Sequence, residues 1–502
     1  MLKMKTLNKS LVPSRILETL AVLHDHGFEA YLVGGCVRDL LLGREPKDWD
    51  ITTPALPEEI VKLYPKTVYE NEFGTVMVVH EGEEDEKLKT VEITPYRTES
   101  TYSDNRRPDD VSFSNDIHLD LQRRDFTINA FAYDPFKETF IDDYKGQEDL
   151  QNKIIRTVGD PIGRFSEDAL RMLRALRLSV ELGCTLSHET LEGVIHSREL
   201  LKNISWERKR DEFTKIIMSP DPVLGVGLLK QLGLLPFIVP ELEEGIGCEQ
   251  KGEHIYDVFE HLLHALGHAA EKNWPLHIRL AALFHDIGKP RTRRWDGTKA
   301  GGKGKYTFYG HEVVGAKMTE KILERLRYPK DVSQIIVKLV RFHMFFSDTE
   351  TITLSAVRRT IENIGKDNIW DLMQIRECDR VGMKKKEAPY RLRKYHAMIE
   401  EALRDPISVS QLKIDGTYMI ETLHMKPGPR MGWMLHALLE EVLEKPELNT
   451  VEYLSARVLE LETLSDRELR EKGEEGKEKK ESVNENEITK LRVKHGVNKK
   501  VV

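Results

Sequence analysis

The sequence predicts an α+β fold, in which a mixed α and β part extends to about residue 150 and a helical part follows. Two observations support this prediction. Before residue 150, short apolar runs of strand length lie between glycine-containing and acidic turns. From about Arg164 onward, apolar residues recur at helical spacing in one segment after another. The expected architecture is therefore a head with a small mixed sheet, followed by an all-α region.

The head begins with one helix and then continues mainly in strands. Residues 14–27 read as a helix, because Ser14 can cap its start and Gly27 can end it. Residues 129–133 fit either a further strand or the start of a helix, since their periodicity does not decide between the two. Strands are expected at 28–33, 49–52, 75–80 and 90–96, the last two paired through an acidic turn.

The helical part accounts for most of the remaining chain. From about Asp466 the sequence is dense in Glu and Lys and nearly devoid of aromatic residues, which predicts a solvated helix or a disordered tail. Helices are expected at 166–182, 188–200, 206–218, 222–233, 256–271, 275–285, 310–326, 330–346, 354–363, 366–381, 390–404 and 430–444.

Bulk composition restricts the class of protein. A chain of 502 residues should hold about three domains. The sequence contains no run of 18 apolar residues, so no membrane span is expected, and residues 1–10 lack the apolar core of a signal peptide. The four cysteines form no CxxC pair, which suits a reduced cytoplasm. The net charge of −8 does not exclude a nucleic-acid partner, because screening leaves that question to local charge.

A glycine turn ahead of two carboxylates is the most informative motif. Residues 32–39 read Leu-Val-Gly-Gly-Cys-Val-Arg-Asp, and Asp48-Trp-Asp50 follows them. Because residues i and i+2 of a strand point the same way, Asp48 and Asp50 can converge on one pair of cations. Gly34 and Gly35 lack Cβ atoms and would let backbone N–H groups approach a triphosphate. This combination is what two-metal phosphoryl or nucleotidyl transfer requires.

Two further clusters fit the same chemistry. Glu92 could face the same metals from the strand at 90–96, and a surface glutamate on an edge strand is the equal alternative. Arg123 and its neighbours in 123–130 suit a triphosphate, since the planar guanidinium binds phosphate oxygens in pairs. Asn129 could contact a ribose hydroxyl. Taken alone, this run would read as a capping Asp125 among surface arginines.

A carboxylate and an arginine could read the base. Asp168 and Arg171 lie at i and i+3 of the expected helix, near Ser166 as its cap. Asp168 would accept from the exocyclic amine of cytosine or adenine, while Arg171 would donate to a ring nitrogen. Uracil and guanine present the wrong groups and would be rejected. The simpler alternative is an i,i+3 ion pair on a helix surface.

A second constellation of histidines and aspartates is independent of the first. Its core is an adjacent His-Asp pair at a helix end, followed by Ile-Gly-Lys. Imidazole and carboxylate ligands together suit Mn²⁺, Fe²⁺, Ni²⁺ or Co²⁺. The members are His261, His285, Asp286, His311, His343 and Asp379.

The motifs at 32–39, 48–50, 123–130 and 167–171 closely resemble those of class II tRNA nucleotidyltransferases, the CCA-adding enzymes. These enzymes share their head with bacterial poly(A) polymerases, within the DNA polymerase beta-like superfamily. The resemblance covers about residues 12–460. It includes a segment similar to the flexible loop of these enzymes at 98–108, and tail segments at 412–416, 427–429 and 435–449.

The resemblance implies roles for individual residues. Asp48 and Asp50 would bind Mg²⁺, and Asp168 with Arg171 would select CTP and then ATP. The tRNA would lie on basic surface, for which the candidates are Arg174, Arg177, Lys202, Arg208, Lys209 and Arg210. The nucleotide-binding set would be Gly34, Gly35, Arg38, Arg123, Asp125, Asn129, Arg164, Asp168, Arg171 and Arg174.

Residues 254–380 resemble an HD phosphohydrolase domain. The resemblance implies a metal such as Ni²⁺, Mn²⁺ or Co²⁺, and an active rather than vestigial site. In some CCA-adding enzymes an appended HD domain hydrolyses phosphomonoesters and 2′,3′-cyclic phosphates, which would suggest tRNA end repair. The implied ligands are His261, His285, Asp286 and Asp379, with His311 and His343 as additional site residues. Rival first ligands are His254, His264 and His268.

The expected domains are a nucleotidyltransferase head at 1–150, a helical neck at 151–235, an HD domain at 236–405, a tRNA-binding tail at 406–465 and a charged tail at 466–502. The leading hypothesis is a cytoplasmic enzyme that adds CCA to tRNA from CTP and ATP, with no membrane partner. The alternatives are an A-adding enzyme, a CC-adding enzyme, which the segment 98–108 disfavours, and a poly(A) polymerase. An HD nucleotide phosphohydrolase with an RNA-binding head is the alternative from another class. The oligomeric state and the third head carboxylate stay open.

Overall fold

The computed structural model describes residues 6–70, 74–99, 111–250, 255–296, 305–345, 352–381 and 389–472. The chain divides after Pro240 into two compact units. The finer division into five domains stays a prediction. No helix in these ranges is both long enough and apolar enough to cross a membrane.

A seven-stranded mixed sheet forms the centre of the first unit. Its order is β3-β4-β5-β2-β1-β8-β9, in which β2 and β5 run parallel and the other neighbours run antiparallel. The expected small mixed sheet is thereby confirmed. The strands of this unit are β1 (Tyr31–Val33), β2 (Asp50–Thr53), β3 (Thr67–Glu70), β4 (Thr75–Val79), β5 (Thr90–Pro95), β6 (Arg97–Glu99), β7 (Val111–Phe113), β8 (Ala132–Asp134), β9 (Thr139–Ile141), β10 (Ile154–Ile155) and β11 (Thr185–Leu186).

Ten helices in the described part of this unit surround and follow the sheet. They are α1 (Ser14–Asp25), α2 (Gly35–Leu41), α3 (Pro57–Leu63), α4 (Ile117–Gln122), α5 (Gly146–Asn152), α6 (Pro161–Glu167), α7 (Leu170–Leu182), α8 (His188–Ser197), α9 (Trp206–Ile217) and α10 (Pro222–Gln231).

The larger hydrophobic cluster of the head lies on one face of the sheet, and a smaller cluster lies on the other. Leu20 and Leu23 of α1 are fully buried in a cluster that also contains Ile51 of β2 and Ile93 of β5. Because side chains alternate along a strand, the neighbours of these isoleucines point to the opposite face. The buried core therefore determines which side of the sheet receives Asp50.

In its described residues, the second unit is helical apart from one isolated β-bridge and one β-hairpin, β12 (Arg294–Asp296) with β13 (Lys305–Thr307). Its helices are α11 (Val258–Glu271), α12 (Leu276–Phe284), α13 (Lys289–Thr292), α14 (His311–Arg325), α15 (Lys330–Phe342), α16 (Leu354–Ile364), α17 (Ile369–Asp379), α18 (Pro389–Ala402), α19 (Gly416–Glu421), α20 (Pro429–Glu444) and α21 (Val451–Glu462). Eight of these helices match the expected segments and end within a few residues of the expected bounds, whereas α13, α19 and α21 were not expected.

The expected helix at 166–182 is wrong as a single element. The chain forms α6 and α7 instead, and Asp168 between them is extended, with φ −142° and ψ 103°. Asp160 caps α6, so Ser166 lies inside a helix rather than at its start. The break is stabilised by the Asp168 carboxylate, which accepts from the backbone N–H of Leu170 at 3.1 Å and from Arg208 at 2.7 Å.

Other segments refine the sequence expectations. The undecided stretch at 129–133 is a short 3₁₀ turn, Thr127–Asn129, that leads into strand β8. The strand expected at 28–33 is confined to β1. Most of the loop segment at 98–108 lies outside the described residues, as does the charged tail beyond residue 472.

Gly146 allows α5 to pack against the turn that carries Asn129. A Cβ atom at this position would lie 2.2 Å from the backbone oxygen of Thr127 and 2.6 Å from the ring of Phe131. We expect Gly146→Ala to lower the free energy of unfolding by about 1–3 kcal/mol, as overpacking in a core does. The measurement is calorimetric melting of the full chain. Gly227→Ala within α10 is the control, because its Cβ would meet nothing within 4 Å; equal losses in both variants would contradict the prediction.

Candidate functional site

A polar cavity of about 320 Å³ opens on the head at the ends of β2 and β5. Its walls bring together residues from the glycine turn, both strands, the 3₁₀ turn and α7. The lining residues are Val33, Gly34, Gly35, Asp50, Ile51, Thr75, Glu92, Thr94, Arg97, Arg123, Arg124, Asp125, Asn129, Arg171 and Arg174. Most of the residues expected to bind a nucleotide therefore face one space.

Two carboxylates, Asp50 and Glu92, line this cavity, and the charge of a third, Asp48, acts on Asp50 from outside the lining. The parallel register pairs Asp50 directly with Glu92, and Asp48 precedes β2 on an exposed turn. Burial raises the pKa of Asp50 to about 7, with further increases from the negative charges of Asp48 and Glu92. The geometry thus supports Glu92 as the third carboxylate of the head.

Gly34 allows the glycine turn to approach these carboxylates. Its φ is +74°, a conformation that side chains rarely adopt, and a Cβ would lie 3.0 Å from Arg124 Nη1 and 3.8 Å from Asp50 Oδ2. Gly35 begins α2 in ordinary space, since its Cβ would be 3.6 Å from the Arg38 guanidinium. The positive φ and the close approach to Arg124 therefore favour glycine at position 34, whereas Gly35 has room for a methyl group.

Asp125 is the centre of a hydrogen-bond network along one wall. It accepts from Asn129 Nδ2 at 3.2 Å and from Arg174 Nη1 at 3.2 Å. Arg38 Nη1 in turn donates to Asn129 Oδ1 at 2.7 Å. Burial favours a raised pKa for Asp125, but the charges of Arg174 and Arg171 outweigh it and hold the pKa below the usual range. Asp125 thus positions cations rather than facing a phosphate itself.

The two expected base-reading residues have separate partners. Asp168 is paired with Arg208 of α9 at 2.7 Å, and Arg171 contacts Glu167. Arg164 also binds Glu167, at 2.9 Å. The expected face shared by Asp168 and Arg171 on one helix is therefore wrong, because Asp168 lies in the break between helices. The sequence alone did not predict that Glu167 would bind Arg171 or that Arg208 would bind Asp168.

Arg124 lines the cavity although it was not in the expected nucleotide set, and Lys209 differs from its expected place on an exposed surface. Arg124 lies against Gly34 and binds the buried Asp120 at 3.1 Å, while Arg123 binds the same carboxylate at 2.7 Å. Lys209 is 2% exposed and lies over the Trp206 ring at 4.2 Å, so it does not belong to an exposed tRNA-binding surface.

A second group of ligand-type side chains lies in the second unit. His261, His285, Asp286 and Asp379 offer ligand atoms within 4.8 Å of one another. Asp286 also belongs to a neighbouring group with His311 and His343. The His285 Nε2 atom is 3.4 Å from Asp286 Oδ2, and the His311 Nε2 atom is 3.1 Å from Asp286 Oδ1. One buried aspartate thereby joins two candidate metal positions.

The imidazole orientations fit a metal. The Nδ1 atoms of His285, His311 and His343 each contact a backbone carbonyl three residues earlier, at 2.8, 2.8 and 2.7 Å. Since a carbonyl only accepts, the neutral ring carries its proton on Nδ1 and presents the Nε2 lone pair to the site. The Nε2 atoms of His261 and His285 are 3.1 Å apart, and those of His311 and His343 are 3.3 Å apart. Without a metal, a proton shared between two such nitrogens can hold each pair together, and a metal ion would take the place of that proton.

Burial and charge separate the pKa values in this cluster. Burial, with a contribution from His285, lowers the pKa of His261 to about 3. For His285, burial is outweighed by Asp286 and Asp379, and the pKa rises to about 10. Burial of Asp286 is likewise outweighed by Lys289 and His285, so its pKa lies well below the usual range.

The structure distinguishes among the rival histidines. His264 stacks on Tyr256 with ring centroids 4.1 Å apart, and His268 lies beside Glu377 at 3.7 Å. Neither belongs to the two ligand groups, and His254 lies outside the described residues. Lys289 was not assigned a role from the sequence. It contacts Asp286 Oδ2 and donates to Gln250 at 2.6 Å.

Three family models match the chain in order. The Poly A polymerase head domain matches residues 30–156, and the probable RNA and SrmB- binding site of polymerase A matches 183–246. The HD domain matches residues 258–385. The histidine–aspartate groups thus lie within one matched domain and most of the head cavity within another, while Arg171 and Arg174 fall between the first two matches.

Curated relatives and a solved structure carry one common name. A CCA-adding enzyme from Geobacillus sp. (strain WCH70) is 48% identical over 225 residues, which cover 45% of this chain and 54% of the relative. One from Geobacillus thermodenitrificans is 41% identical over 282 residues, covering 54% and 64%. The alignments therefore span about half to two thirds of these relatives. The Bacillus stearothermophilus CCA-adding enzyme, solved in complex with CTP, is 27% identical with a TM-score of 0.66, and the match covers 89% of this chain and 98% of that one.

The raised pKa of Asp50 predicts pH-dependent metal binding by the head. Because the protonated carboxyl does not bind a cation, we expect Mn²⁺ affinity to fall about tenfold per pH unit below pH 7 and to level off above it. The measurement is bound Mn²⁺ by electron paramagnetic resonance from pH 5.5 to 8.5, taken as the difference between the protein and its Asp50→Asn variant. Glu92→Gln should move the midpoint to lower pH, since it removes a negative neighbour. A midpoint near pH 4 would contradict the prediction.

Proposed function

We propose that the chain is a member of the poly(A) polymerase and tRNA nucleotidyltransferase family that adds C, C and A to the 3′ end of tRNA from CTP and ATP. The observation that carries the proposal is the pairing of Asp50 with Glu92 in a cavity walled by Gly34 and by arginines. The names of the curated relatives, and the CTP in the B. stearothermophilus structure, support the same activity and substrate.

The residues of the cavity fit the demands of nucleotidyl transfer. Asp48, Asp50 and Glu92 would hold Mg²⁺, which when bound supplies charge neutralisation at the α-phosphate and a lowered pKa for the attacking hydroxyl. In the reaction the terminal 3′-oxygen of tRNA bonds to the α-phosphorus and its proton passes to solvent. The bond from that phosphorus to the bridging oxygen breaks, and pyrophosphate leaves. Arg123, Arg124 and other cations of the wall would orient the triphosphate.

The same proposal assigns base selection to the start of α7. Asp168 would accept from the exocyclic amine of cytosine or adenine, and Arg171 would donate to the ring. Glu167 binds both Arg171 and Arg164, so it would hold these guanidinium groups in position. An enzyme that adds A alone, or long A tracts, would use the same pocket. Only the reaction products can therefore distinguish these activities from CCA addition.

We further propose that the histidine–aspartate groups form a phosphohydrolase site for RNA 3′-end repair in the cytoplasm. His261, His285, Asp286 and Asp379 would hold one ion such as Ni²⁺, Mn²⁺ or Co²⁺, and Asp286, His311 and His343 would hold a second. The bound metal supplies an activated water. During opening of a 2′,3′-cyclic phosphate, the water oxygen bonds to phosphorus, one ester P–O bond breaks, and the released ribose oxygen takes a proton.

Product sizes on defined tRNAs test the head activity. The protein receives tRNA that lacks the tail, ends in C or ends in CC, with CTP, ATP or both, and products are sized at single-nucleotide resolution. We expect C, C and A on tail-less tRNA, followed by a halt. A addition only to the CC-ended tRNA would instead indicate an A-adding enzyme, and long A tracts would indicate a poly(A) polymerase. Asp50→Asn should lower the rate at least about a thousandfold because it removes a metal ligand, and Glu58→Gln is the surface control.

The hydrolase activity has its own test. We expect the Ni²⁺- or Mn²⁺-loaded protein to hydrolyse 2′,3′-cyclic AMP, and His285→Ala to leave at most about 1% of the rate because it removes a central ligand. His264→Ala is the matched control, since that histidine lies on the same helix as His261 but outside both groups. Both variants should still add CCA. Equal loss in the two variants would refute the assignment of ligands.

A further inference from the structure

A strongly basic segment lies within the second unit of this acidic chain. Residues 289–305 contain seven lysines and arginines and one aspartate, whereas the whole chain has a formal charge of −8. The described parts of this segment are α13 and the two strands of the hairpin β12–β13. Local positive charge of this density attracts a polyanion even when the whole protein is acidic.

The hairpin presents an aromatic pair on the same segment. Trp295 and Tyr306 are cross-strand partners, so their side chains project from one face, and the rings meet edge to face at 4.8 Å. Trp295 is 58% exposed. An indole that packs edge to face with a tyrosine and is open to solvent is the type of side chain on which an unpaired base stacks, so the pair can serve as a stacking platform.

Two arginines extend this platform. The Arg293 guanidinium lies over the Tyr306 ring at 3.7 Å, and its Nε atom is buried without a hydrogen-bond partner. Arg294, the residue before Trp295, is exposed. By contrast, the charge of Arg291 is already matched by Glu244 at 2.6 Å. The exposed Arg294 guanidinium beside the aromatic pair can therefore donate to an incoming phosphate.

Both ends of the hairpin lead along the chain to residues that contact the metal-ligand groups. On the incoming side, Lys289 contacts Asp286 four residues before Arg293. On the outgoing side, the carbonyl of Phe308 accepts from His311 Nδ1 at 2.8 Å, only two residues after Tyr306. Both strands that carry the basic and aromatic side chains are thus within a few residues, along the chain, of residues that contact the ligand groups.

We propose that this platform, formed by Arg293, Arg294, Trp295 and Tyr306, binds the last nucleotides of a single-stranded RNA whose 3′-terminal phosphate enters the histidine–aspartate groups. The proposal rests on the hydrolase activity proposed above and names its substrate class. Stacking on Trp295 with phosphate contacts from the arginines would be tolerant of sequence, which suits ends of differing base composition. A mononucleotide lacks the preceding nucleotides that the platform would bind.

A length series tests the proposal through activity. The metal-loaded full chain hydrolyses RNAs of one, two, three and five nucleotides, each ending in a 2′,3′-cyclic phosphate. We expect KM to fall about tenfold from the mononucleotide to the pentanucleotide, and Arg294→Ala with Trp295→Ala to abolish that dependence while leaving the mononucleotide rate unchanged. The control is Trp370→Ala with Arg404→Ala, a tryptophan and an exposed arginine elsewhere in the unit. A KM independent of length, or a length dependence that persists in the platform variant, would overturn the proposal.

Cross-linking tests the platform without catalysis. A pentanucleotide containing 4-thiouridine near its 3′ end is irradiated with the metal-free protein, and the adducts are located by mass spectrometry. We expect adducts at Trp295 or Tyr306 that disappear with excess unlabelled RNA and persist with excess 2′,3′-cyclic AMP. Adducts confined to other segments would overturn the proposal. If adducts form on the hairpin but no substrate is hydrolysed, the platform is supported and the hydrolase activity fails.

Discussion

The head depends on the parallel pairing of β2 with β5. This register sets Ile51 beside Ile93 in the core and Asp50 beside Glu92 at the cavity. Because the alternation has a period of two, a slip of one residue would send the carboxylates into the core and the isoleucines to the cavity. The hydrophobic burial that stabilises the sheet therefore offsets the repulsion between the carboxylates of Asp50 and Glu92. Arg124 partly offsets their repulsion.

The second unit meets a related constraint with helix ends rather than strands. His285 and His343 each follow the last residue of a helix, and His311 begins one, so each imidazole reaches a carbonyl of its own turn. Those local bonds set the ring orientation before any metal binds. Gly288 permits α14 to approach, since a Cβ there would lie 2.3 Å from the carbonyl oxygen of His311. The absence of a side chain at position 288 is thus a condition for Asp286 to belong to both ligand groups.

Local patterns in the sequence predicted most of the elements, and long-range contacts account for what those patterns missed. The helical spacing of α11, α12, α14 to α18 and α20 is a property of neighbouring residues, so the chain alone reveals it. The role of Glu92 required the nonlocal pairing of β5 with β2. His261, His264 and His268 share a helical face, and only the contact with His285 distinguishes the first of them. The break at Asp168 depends on Arg208, forty residues away.

The partners of Asp168 and Arg171 bear on how the proposed selection of bases would work. Both side chains are already satisfied, by Arg208 and Glu167, so an incoming base must replace or share contacts that exist. A base with an exocyclic amine restores a donor to Asp168, and the exchange is nearly balanced. A base that presents an oxygen there leaves a desolvated carboxylate facing an acceptor, and a buried polar group without its partner costs about 1–3 kcal/mol or more when charged. Occupied side chains therefore sharpen discrimination, because the wrong base loses a contact and gains none.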